Sequence, residues 1–250
     1  MGNGMIDCTL AAPKETPTFT FGMKDTGIST QTVTVAAITS QPRYGPVDGW
    51  TSVVSAICKL GIYPVRGSGA YWSHSLDKMM LMLTESDVDW VLTFDYDSLF
   101  TYDQVKHLMN RFMANPTIHA LAATQARRAC RTAIGLGAQN AQEQNGFLRA
   151  QSMHFGLTLI RLDALRRMPR PWFHSKPDSG GGWTGEDRLD PDVWFWKQWY
   201  DTGNTAYFDL TCNIGHIEEM VAVVRDGKVV YETMDEWYNN EAPGNRIPLR

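Results

Sequence analysis

Two aspartates, Asp95 and Asp97, follow directly after an apolar run of strand length at residues 90–94. In extended backbone, residues i and i+2 point to the same side, so the two carboxylates are expected side by side. Adjacent carboxylates repel unless a positive charge lies between them, and hard oxygen ligands suit Mg²⁺ or Mn²⁺. The spacing therefore indicates a divalent-cation site, although two aspartates in a turn can also do no more than cap the next helix.

The elements on either side decide where this acidic pair lies. Residues 90–94 are rich in aromatic and β-branched types, which is typical of a buried parallel strand. Thr101 is suited to be the N-cap of a helix over residues 101–114. The pair is therefore predicted in a strand-to-helix turn at the carboxyl end of a strand, which is where open α/β sheets bind ligands.

The order of the predicted elements gives the fold class. Strands and helices alternate over the first hundred residues, which is the signature of a parallel sheet with helices on both faces. We therefore expect an α/β fold with a mostly parallel central sheet flanked by helices. The predicted elements are strands at residues 32–39, 62–65, 90–94, 118–124, 156–161 and 204–209, helices at 50–60, 76–84, 101–114, 163–167 and 193–200, and a hairpin at Asp226-Gly227.

The composition excludes several classes of protein. The 250 residues are 43% hydrophobic and 20% charged with a net charge of −4, which is ordinary for a globular protein and gives no basic footprint for nucleic acid. The four cysteines lie far apart and form no C-x-x-C pair, so we expect reduced thiols and no zinc site. The sequence shows no apolar run of membrane-spanning length and no signal peptide, and it predicts a cytoplasmic protein.

Two distant segments add polar groups that could complete a site. Asp190 and Asp192 stand at the entrance of a helix rich in aromatic residues, where the positive end of the helix dipole favours a carboxylate. His216 follows Gly215 and is predicted in an exposed turn, where it is well placed to be a ligand.

In this order, the chain resembles the GT-A-fold nucleotide-sugar glycosyltransferases, in particular the family 2-like enzymes, over residues 32 to 218. Four segments carry the resemblance, and together they are more specific than any one of them. They are T-S-Q-P-R at residues 39–43, F-D-Y-D at 94–97, G-L-T-L-I-R at 156–161, and D-P-D-V-W-F-W-K-Q-W at 190–199 followed by Gly203 and by I-G-H at 214–216.

The resemblance implies a donor site that contains Mn²⁺ or Mg²⁺ and a nucleoside-diphosphate sugar. Asp97 and His216 would bind the metal, and Asp95 would reach the ribose or, through water, the metal. The diphosphate would complete the coordination shell, and the metal would act as a Lewis acid as the nucleoside diphosphate leaves. The residues that would contact the nucleotide are Thr39, Arg43, Asp95 and Tyr96.

The resemblance also implies an acceptor site and a base. Asp192, with Asp190 as second choice, would accept the proton of the attacking hydroxyl, as in inverting enzymes. The family often has adjacent Glu-Asp at this position, and Glu186 and Asp187 form such a pair here, so the base assignment stays open. Trp183, Glu186 and Asp187 are candidates for contact with the acceptor, on a glycine-rich loop that we expect to be mobile.

The resemblance divides the chain into three parts. Residues 1–31 would be an irregular N-terminal arm, residues 32–220 a single GT-A catalytic domain, and residues 221–250 a hairpin and tail. Within the catalytic domain, residues 32–115 would bind the nucleotide sugar and residues 116–220 would supply the acceptor half.

The resulting hypothesis is a metal-dependent, inverting glycosyltransferase that acts on an acceptor hydroxyl. A nucleotidyltransferase is an alternative, but such enzymes typically carry a glycine-rich phosphate loop after the first strand, where this chain has S-Q-P-R at residues 40–43. A second alternative is a non-catalytic protein that has kept the fold and binds a carbohydrate or nucleotide. A turnover assay with a nucleotide sugar would separate an enzyme from a binding protein.

Overall fold

The central strand of the fold is β4, Trp90–Phe94, in which all five residues are buried. A strand buried on both faces needs apolar residues throughout, which explains its unbroken apolar run. The protein is described here by a computed structural model. The residues that the structure describes are 18–21, 31–42, 45–126, 143–185 and 187–241.

The first half of the chain alternates strands and helices as predicted. The predicted helix at residues 50–60 changes type along its length, from α-helix to a π-helical segment and then a 3₁₀ turn, and Gly61 ends it with φ of 81°. Within the predicted N-terminal arm, one short strand pairs with the strand at Gln31–Ser40. The elements are β1 (Thr18–Phe21), β2 (Gln31–Ser40), α1 (Val47–Ser52) with the π-helical segment Val53–Ile57 and the 3₁₀ turn Cys58–Leu60, β3 (Val65–Gly67), α2 (Trp72–Thr84), β4, β5 (Ser98–Leu99) and α3 (Tyr102–Met113).

The second half completes the sheet and adds a separate hairpin. The hairpin predicted at Asp226-Gly227 is present, and a final helix follows it. The elements are β6 (Ala120–Gln125), β7 (Glu143–Gln144), β8 (Phe147–Arg149), β9 (Leu157–Arg161), α4 (Leu162–Arg167), α5 (Pro191–Asp201), β10 (Ala206–His216), β11 (Met220–Arg225), β12 (Lys228–Thr233) and α6 (Met234–Glu241).

The central sheet has the strand order β1-β2-β4-β9-β6-β10-β8-β7, with β3 beside β2 and β5 beside β10. This confirms the predicted α/β class with a central sheet flanked by helices. The sheet is mixed rather than mostly parallel, because β9 runs antiparallel between β4 and β6. An apolar run has the same pattern in either direction, so the sequence did not reveal this reversal.

Strand β10 differs most from its prediction. We expected a strand at residues 204–209 and then an exposed turn at His216, but one strand runs from Ala206 to His216. It pairs with β6 on both sides of a bulge at residues 210–212 and then with β5 at its end. The prediction that His216 lies in an exposed turn is therefore wrong, since its side chain is only 12% exposed.

The core lies on both faces of the sheet. Helix α3 and the segment at residues 47–60 cover one face, and α2, α4 and α5 cover the other. The aromatic residues of α5 are mainly core, because Phe195, Trp196 and Trp199 are fully buried. The carboxyl ends of β4 and β10 are thereby held on a rigid scaffold.

Candidate functional site

Asp97 and His216, two of the three predicted metal ligands, meet at the edge of the sheet. His216 Nε2 lies 3.4 Å from Asp97 Oδ2. The pairing of His216 with Ser98, and the hydrogen bond from Ile217 N to the Asp97 carbonyl oxygen at 2.8 Å, hold the end of β10 against the acidic turn. Both side chains are largely buried, so their relative position is set by the sheet.

The other ring nitrogen of His216 decides which tautomer the site favours. Nδ1 lies 3.0 Å from the carbonyl oxygen of Ala126, which can only accept a hydrogen bond, so Nδ1 carries a hydrogen. In the neutral ring, Nε2 then presents its lone pair toward the Asp97 carboxylate. A histidine whose second nitrogen donates to a backbone carbonyl is the usual arrangement of a metal-ligating histidine, so this pair fits a divalent cation.

Asp95 is held in the same turn by its backbone. Its N–H donates to the Gly156 carbonyl oxygen at 3.3 Å, and its own carbonyl oxygen accepts from Ser98 N at 3.2 Å. Among the residues that the structure describes, no group of three His, Cys, Asp or Glu side chains is arranged to hold a metal ion. The protein therefore offers a pair of ligands, Asp97 and His216, and Asp95 lies beside that pair.

A cavity of about 700 Å³ opens beside Asp97. That volume lies in the range of small-molecule sites, which is roughly 300–1,000 Å³. Asp97 forms part of the wall, so a ligand in the cavity would lie against the candidate metal site. The lining residues are Gly45, Pro46, Tyr96, Asp97, Ile217, Glu218 and Glu219.

Two glycines fix the position of Tyr96, the predicted nucleotide contact. A Cβ at Gly49 in α1 would overlap the carbonyl oxygen of Tyr96. A Cβ at Gly45 would lie 3.2 Å from the Tyr96 ring. The acidic turn therefore packs against backbone with no room for a side chain at Gly49, a requirement that the sequence pattern did not indicate.

A buried polar cluster lies behind the acidic turn, and sequence reasoning missed it. His154 Nε2 donates to the Ala123 carbonyl oxygen at 2.8 Å, while Nδ1 accepts from Gly156 N at 2.9 Å. Burial lowers the pKa of His154 to about 4, so the ring is neutral at physiological pH. Gln125 Nε2 donates to Ser98 Oγ at 2.9 Å in the same cluster.

Gly156 joins this cluster to the acidic turn. A Cβ there would overlap Gln125 Oε1 and lie 2.8 Å from His154 Nδ1 and 2.9 Å from Ser98 Oγ. Its carbonyl oxygen accepts the Asp95 N–H. The available signal was Gly156 at the start of a predicted strand, since glycine there often marks a close approach of backbone.

Thr39, another predicted nucleotide contact, is not among the residues that line the cavity. Thr39 is fully buried at the end of β2, and its Oγ1 has no hydrogen-bond partner among the described residues. Arg43 lies outside the described residues.

Asp192, the predicted base, lies half-buried in the first turn of α5. Burial raises its pKa, and the negative charge of Asp190 adds to the rise, while a hydrogen bond from Val193 N to Oδ1 at 2.9 Å opposes it. A carboxylate with a raised pKa is a better proton acceptor, which suits a general base. Asp190 instead forms an exposed ion pair with Arg188 at 3.3 Å.

An aromatic cluster connects Asp192 to the same end of the sheet as the metal pair. Phe195, one helical turn after Asp192, contacts Phe155 with ring centroids 5.2 Å apart. Phe155 precedes Gly156, which bonds to Asp95. Helix α5 is therefore linked to the acidic turn through Phe195, Phe155 and Gly156.

The predicted acceptor loop is organised by Asp178, which the sequence analysis did not single out. Its Oδ1 accepts from Gly180 N and Gly182 N at 3.0 and 2.8 Å, and its Oδ2 accepts from Gly185 N at 2.8 Å. These hydrogen bonds lower the pKa of Asp178. They give the loop a hydrogen-bonded core around Asp178.

The predicted acceptor contacts lie on this loop. Trp183 is 55% exposed, so its ring is available to a ligand. Asp187 Oδ2 accepts from Ser179 N at 2.9 Å, and this bond lowers the pKa of Asp187 and gives it a structural role in the loop. Glu186 lies outside the described residues.

No protein-family model matches the chain, and no curated protein matches it by sequence. The chain is similar in structure to A197 from STIV, with 16% sequence identity and a TM-score of 0.51, over 79% of this chain and 94% of that one. At this identity, the likeness shows a shared fold alone.

Two further solved structures have lower TM-scores. GalNAc-T7 with UDP, GalNAc and Mn²⁺ matches at 10% identity and a TM-score of 0.47, over 78% of this chain and 45% of that one. The mannosyltransferase PcManGT from Pyrobaculum calidifontis, in complex with GDP-Man and Mn²⁺, matches at 10% identity and a TM-score of 0.43, over 73% of this chain and 56% of that one. Similarities at these scores carry no argument about activity.

Within the described part of the chain, no helix combines the length and the apolar character needed to cross a membrane.

Proposed function

We propose that this protein is a metal-dependent glycosyltransferase that moves a sugar from a nucleoside-diphosphate sugar to an acceptor hydroxyl. The observation that supports the proposal is that His216 lies 3.4 Å from Asp97, which lines a cavity of about 700 Å³. The two residues are 119 positions apart in the chain, yet they lie at one edge of an α/β sheet. Such sheets bind ligands at this edge. We assign the donor half to residues 32–115 and the acceptor half to residues 116–220, with His216 of the acceptor half completing the donor site.

Asp97 and His216 would hold Mn²⁺ or Mg²⁺ through Oδ2 and Nε2. When bound, the cation would supply Lewis-acid stabilisation of the departing diphosphate. The hydrogen bond of His216 Nδ1 to Ala126 would keep Nε2 free of hydrogen and aimed at the ion. Asp95 and Tyr96 would contact the nucleotide from the same turn.

Asp192 would accept the proton of the acceptor hydroxyl as that oxygen attacks the donor sugar. Its raised pKa favours this role over Asp190, whose carboxylate is engaged by Arg188. A separate base on the acceptor side implies inversion at the anomeric carbon. Trp183 would stack its exposed ring on the acceptor, since apolar ring faces pack well on sugars.

A thermal-shift screen of nucleoside diphosphates, with and without Mn²⁺, tests the donor site. A ligand that binds only the native state raises Tm by mass action. We expect one nucleotide to raise Tm only when Mn²⁺ is present, and the shift to vanish in Asp97→Ala and in His216→Ala. Lys197→Ala, which removes a cation from an exposed ion pair on α5, is the control that keeps the shift.

A turnover assay with the corresponding nucleotide sugar follows the screen. Mn²⁺-dependent release of nucleoside diphosphate supports a transferase. Nucleotide binding with no turnover on any acceptor would favour the non-catalytic alternative. If no nucleotide raises Tm in the thermal-shift screen with Mn²⁺ present, the proposal is wrong.

A further inference from the structure

The bulge of β10 determines which side chains reach the acidic turn. Ala123 and Thr124 are consecutive residues of β6, yet they pair with Asp209 and Asn213, so residues 210–212 have no partner in β6. Beyond the bulge, Gly215 pairs with Leu99 and His216 with Ser98. Side chains alternate between the two faces of a strand, so a slip of one residue at the bulge would turn His216 away from Asp97.

A buried carboxylate lies at the start of this bulge. Asp209 is fully buried, and its Oδ1 accepts from Thr211 N at 3.0 Å and from Thr211 Oγ1 at 2.6 Å. Its Oδ2 lies 3.2 Å from Arg111 Nε and 3.3 Å from His107 Nε2. One oxygen therefore holds the bulge, and the other holds two basic side chains of α3.

Helix α3 clamps the bulge at several further points. His107 Nε2 lies 2.9 Å from Thr211 Oγ1, and Gln104 Nε2 donates to the Asn213 carbonyl oxygen. Arg111 Nη2 also donates to the Asn145 carbonyl oxygen at 2.8 Å, in the turn between β7 and β8. Asp209 contacts both the bulge and α3 through hydrogen bonds of its carboxylate. Hydrogen bonds to an ionised group are stronger than those between neutral groups.

We propose that Asp209 is a positioning residue for the donor site: by locking the β10 bulge against α3, it fixes the register that turns His216 toward Asp97. The inference rests on the proposed function in taking His216 as a metal ligand. A fully buried charge is costly unless it is paired, and the fold retains one at the point where the strand register is set. Asp209 touches neither metal nor substrate in this role.

The first readout needs no ligand. The Ile217 amide donates to the Asp97 carbonyl oxygen, so its hydrogen exchange reports whether the end of β10 is docked on the acidic turn. In Asp209→Asn, we expect the Ile217 amide to exchange at least about tenfold faster while the β4 amides keep their protection. Equal acceleration of both sets, or unchanged exchange at Ile217, would overturn the inference.

The second readout is the affinity for Mn²⁺ alone, measured by paramagnetic resonance of the free ion. Loss of an outer-shell partner typically weakens metal binding about 10–100-fold, and we expect a loss of that size in Asp209→Asn. Wild-type affinity in a folded Asp209→Asn would overturn the positioning role. If the wild-type protein does not bind Mn²⁺, the proposed function fails, and exchange at Ile217 still decides the register claim.

Glu232→Gln is the matched control. Glu232 is another largely buried carboxylate paired with an arginine, since Arg225 Nη2 donates to its Oε2 at 2.8 Å, but it lies in the hairpin of β11 and β12. We expect it to leave Ile217 exchange and Mn²⁺ affinity unchanged. If Asp209→Asn does not fold, Thr211→Val is the substitute, because it removes the hydroxyl contact with Asp209 and keeps the ion pair of Asp209 with Arg111. Unchanged Ile217 exchange in Thr211→Val would then overturn the inference.

Discussion

The two sides of the candidate site are built in different ways. On the proposed donor side, Asp97 and His216 are 119 residues apart in the chain and meet through the pairing of β5 with β10. On the proposed acceptor side, Asp178 holds its loop through hydrogen bonds to backbone groups two, four and seven residues away. The donor side is buried, whereas the loop presents Trp183 to solvent.

This difference predicts how each side responds to substitution. The donor side is part of the central sheet, so a change there is expected to affect stability and ligand binding together. The acceptor loop is held by hydrogen bonds between its own residues and lies outside the central sheet, so substitutions in the loop are expected to leave the protein folded. Donor recognition would thus be constrained by the fold, and acceptor recognition would be free to vary.

Gly49→Ala should give the largest effect on the donor side. The added methyl group would overlap the Tyr96 carbonyl oxygen and displace the acidic turn. We expect a loss of about 2 kcal/mol in the free energy of unfolding, since overpacking outweighs the better helix propensity of alanine. Urea denaturation measures the stability. The Mn²⁺-dependent rise in Tm on adding nucleotide should be lost as well.

Gly45→Ala is the control for this substitution. Its methyl group would lie 3.2 Å from the side chain of Tyr96 rather than overlap backbone, and a small shift of that ring would relieve the contact, so we expect a small change. Equal destabilisation by the two variants would contradict the view that the backbone of the acidic turn is fixed by Gly49.

Asp192→Asn tests the junction between the two sides. We expect kcat to fall at least about 100-fold, because the amide cannot accept the proton of the acceptor, while nucleotide binding is kept. Burial raises the pKa of Asp192, so the charged carboxylate destabilises the fold above that pKa. Asp192→Asn should therefore raise Tm at neutral pH, and this gain should disappear as the pH falls below the ordinary aspartate pKa of about 4.

The outcome that would exclude Asp192 as the base is unchanged kcat in Asp192→Asn. Asp190→Asn is the matched variant two residues away, and we expect it to keep most of the activity because the Asp190 carboxylate pairs with Arg188.

Asp178→Asn should give the smallest effect on stability and should act on the acceptor side alone. The amide group cannot accept at both of its atoms, so backbone N–H groups of the loop lose a partner. We expect faster hydrogen exchange at Gly180, Gly182 and Gly185, a higher KM for the acceptor, and an unchanged nucleotide shift. Loss of the nucleotide shift would show that the two sides are not independent.

The pH dependence of the wild-type loop follows from the same hydrogen bonds. They lower the pKa of Asp178, so their stabilising effect is present above the ordinary aspartate pKa and is lost as the pH falls through the lowered value. The protection of the Gly182 amide, relative to its intrinsic exchange rate at each pH, should therefore fall at acidic pH in the wild-type protein and not in Asp178→Asn.

Local signals in the sequence predicted the parts of the fold that depend on local chemistry. The apolar run of β4 and the cap of α3 are examples, since Thr101 and Gln104 form the reciprocal capping box of that helix. The acidic pair after β4 likewise indicated the edge of the sheet where Asp97 and His216 meet.

Features that depend on distant contacts could not be predicted in this way. The direction of β9, the bulge in β10 and the position of His216 in a strand depend on which strands become neighbours. The space around Gly49 and Gly156 is likewise defined by groups far away in the chain. The role of Asp178 is local, but a serine-glycine-rich loop can be closed in many ways, and the sequence alone did not select one.

The most direct test is a double-mutant cycle of Asp97→Ala and His216→Ala, with Mn²⁺ affinity measured in the presence of the nucleoside diphosphate selected by the thermal-shift screen. Each single substitution should weaken Mn²⁺ binding at least about tenfold, and the double variant should be little worse than either, because both residues bind one ion. Wild-type affinity in either single variant, or fully additive losses, would contradict a shared metal at this edge of the sheet.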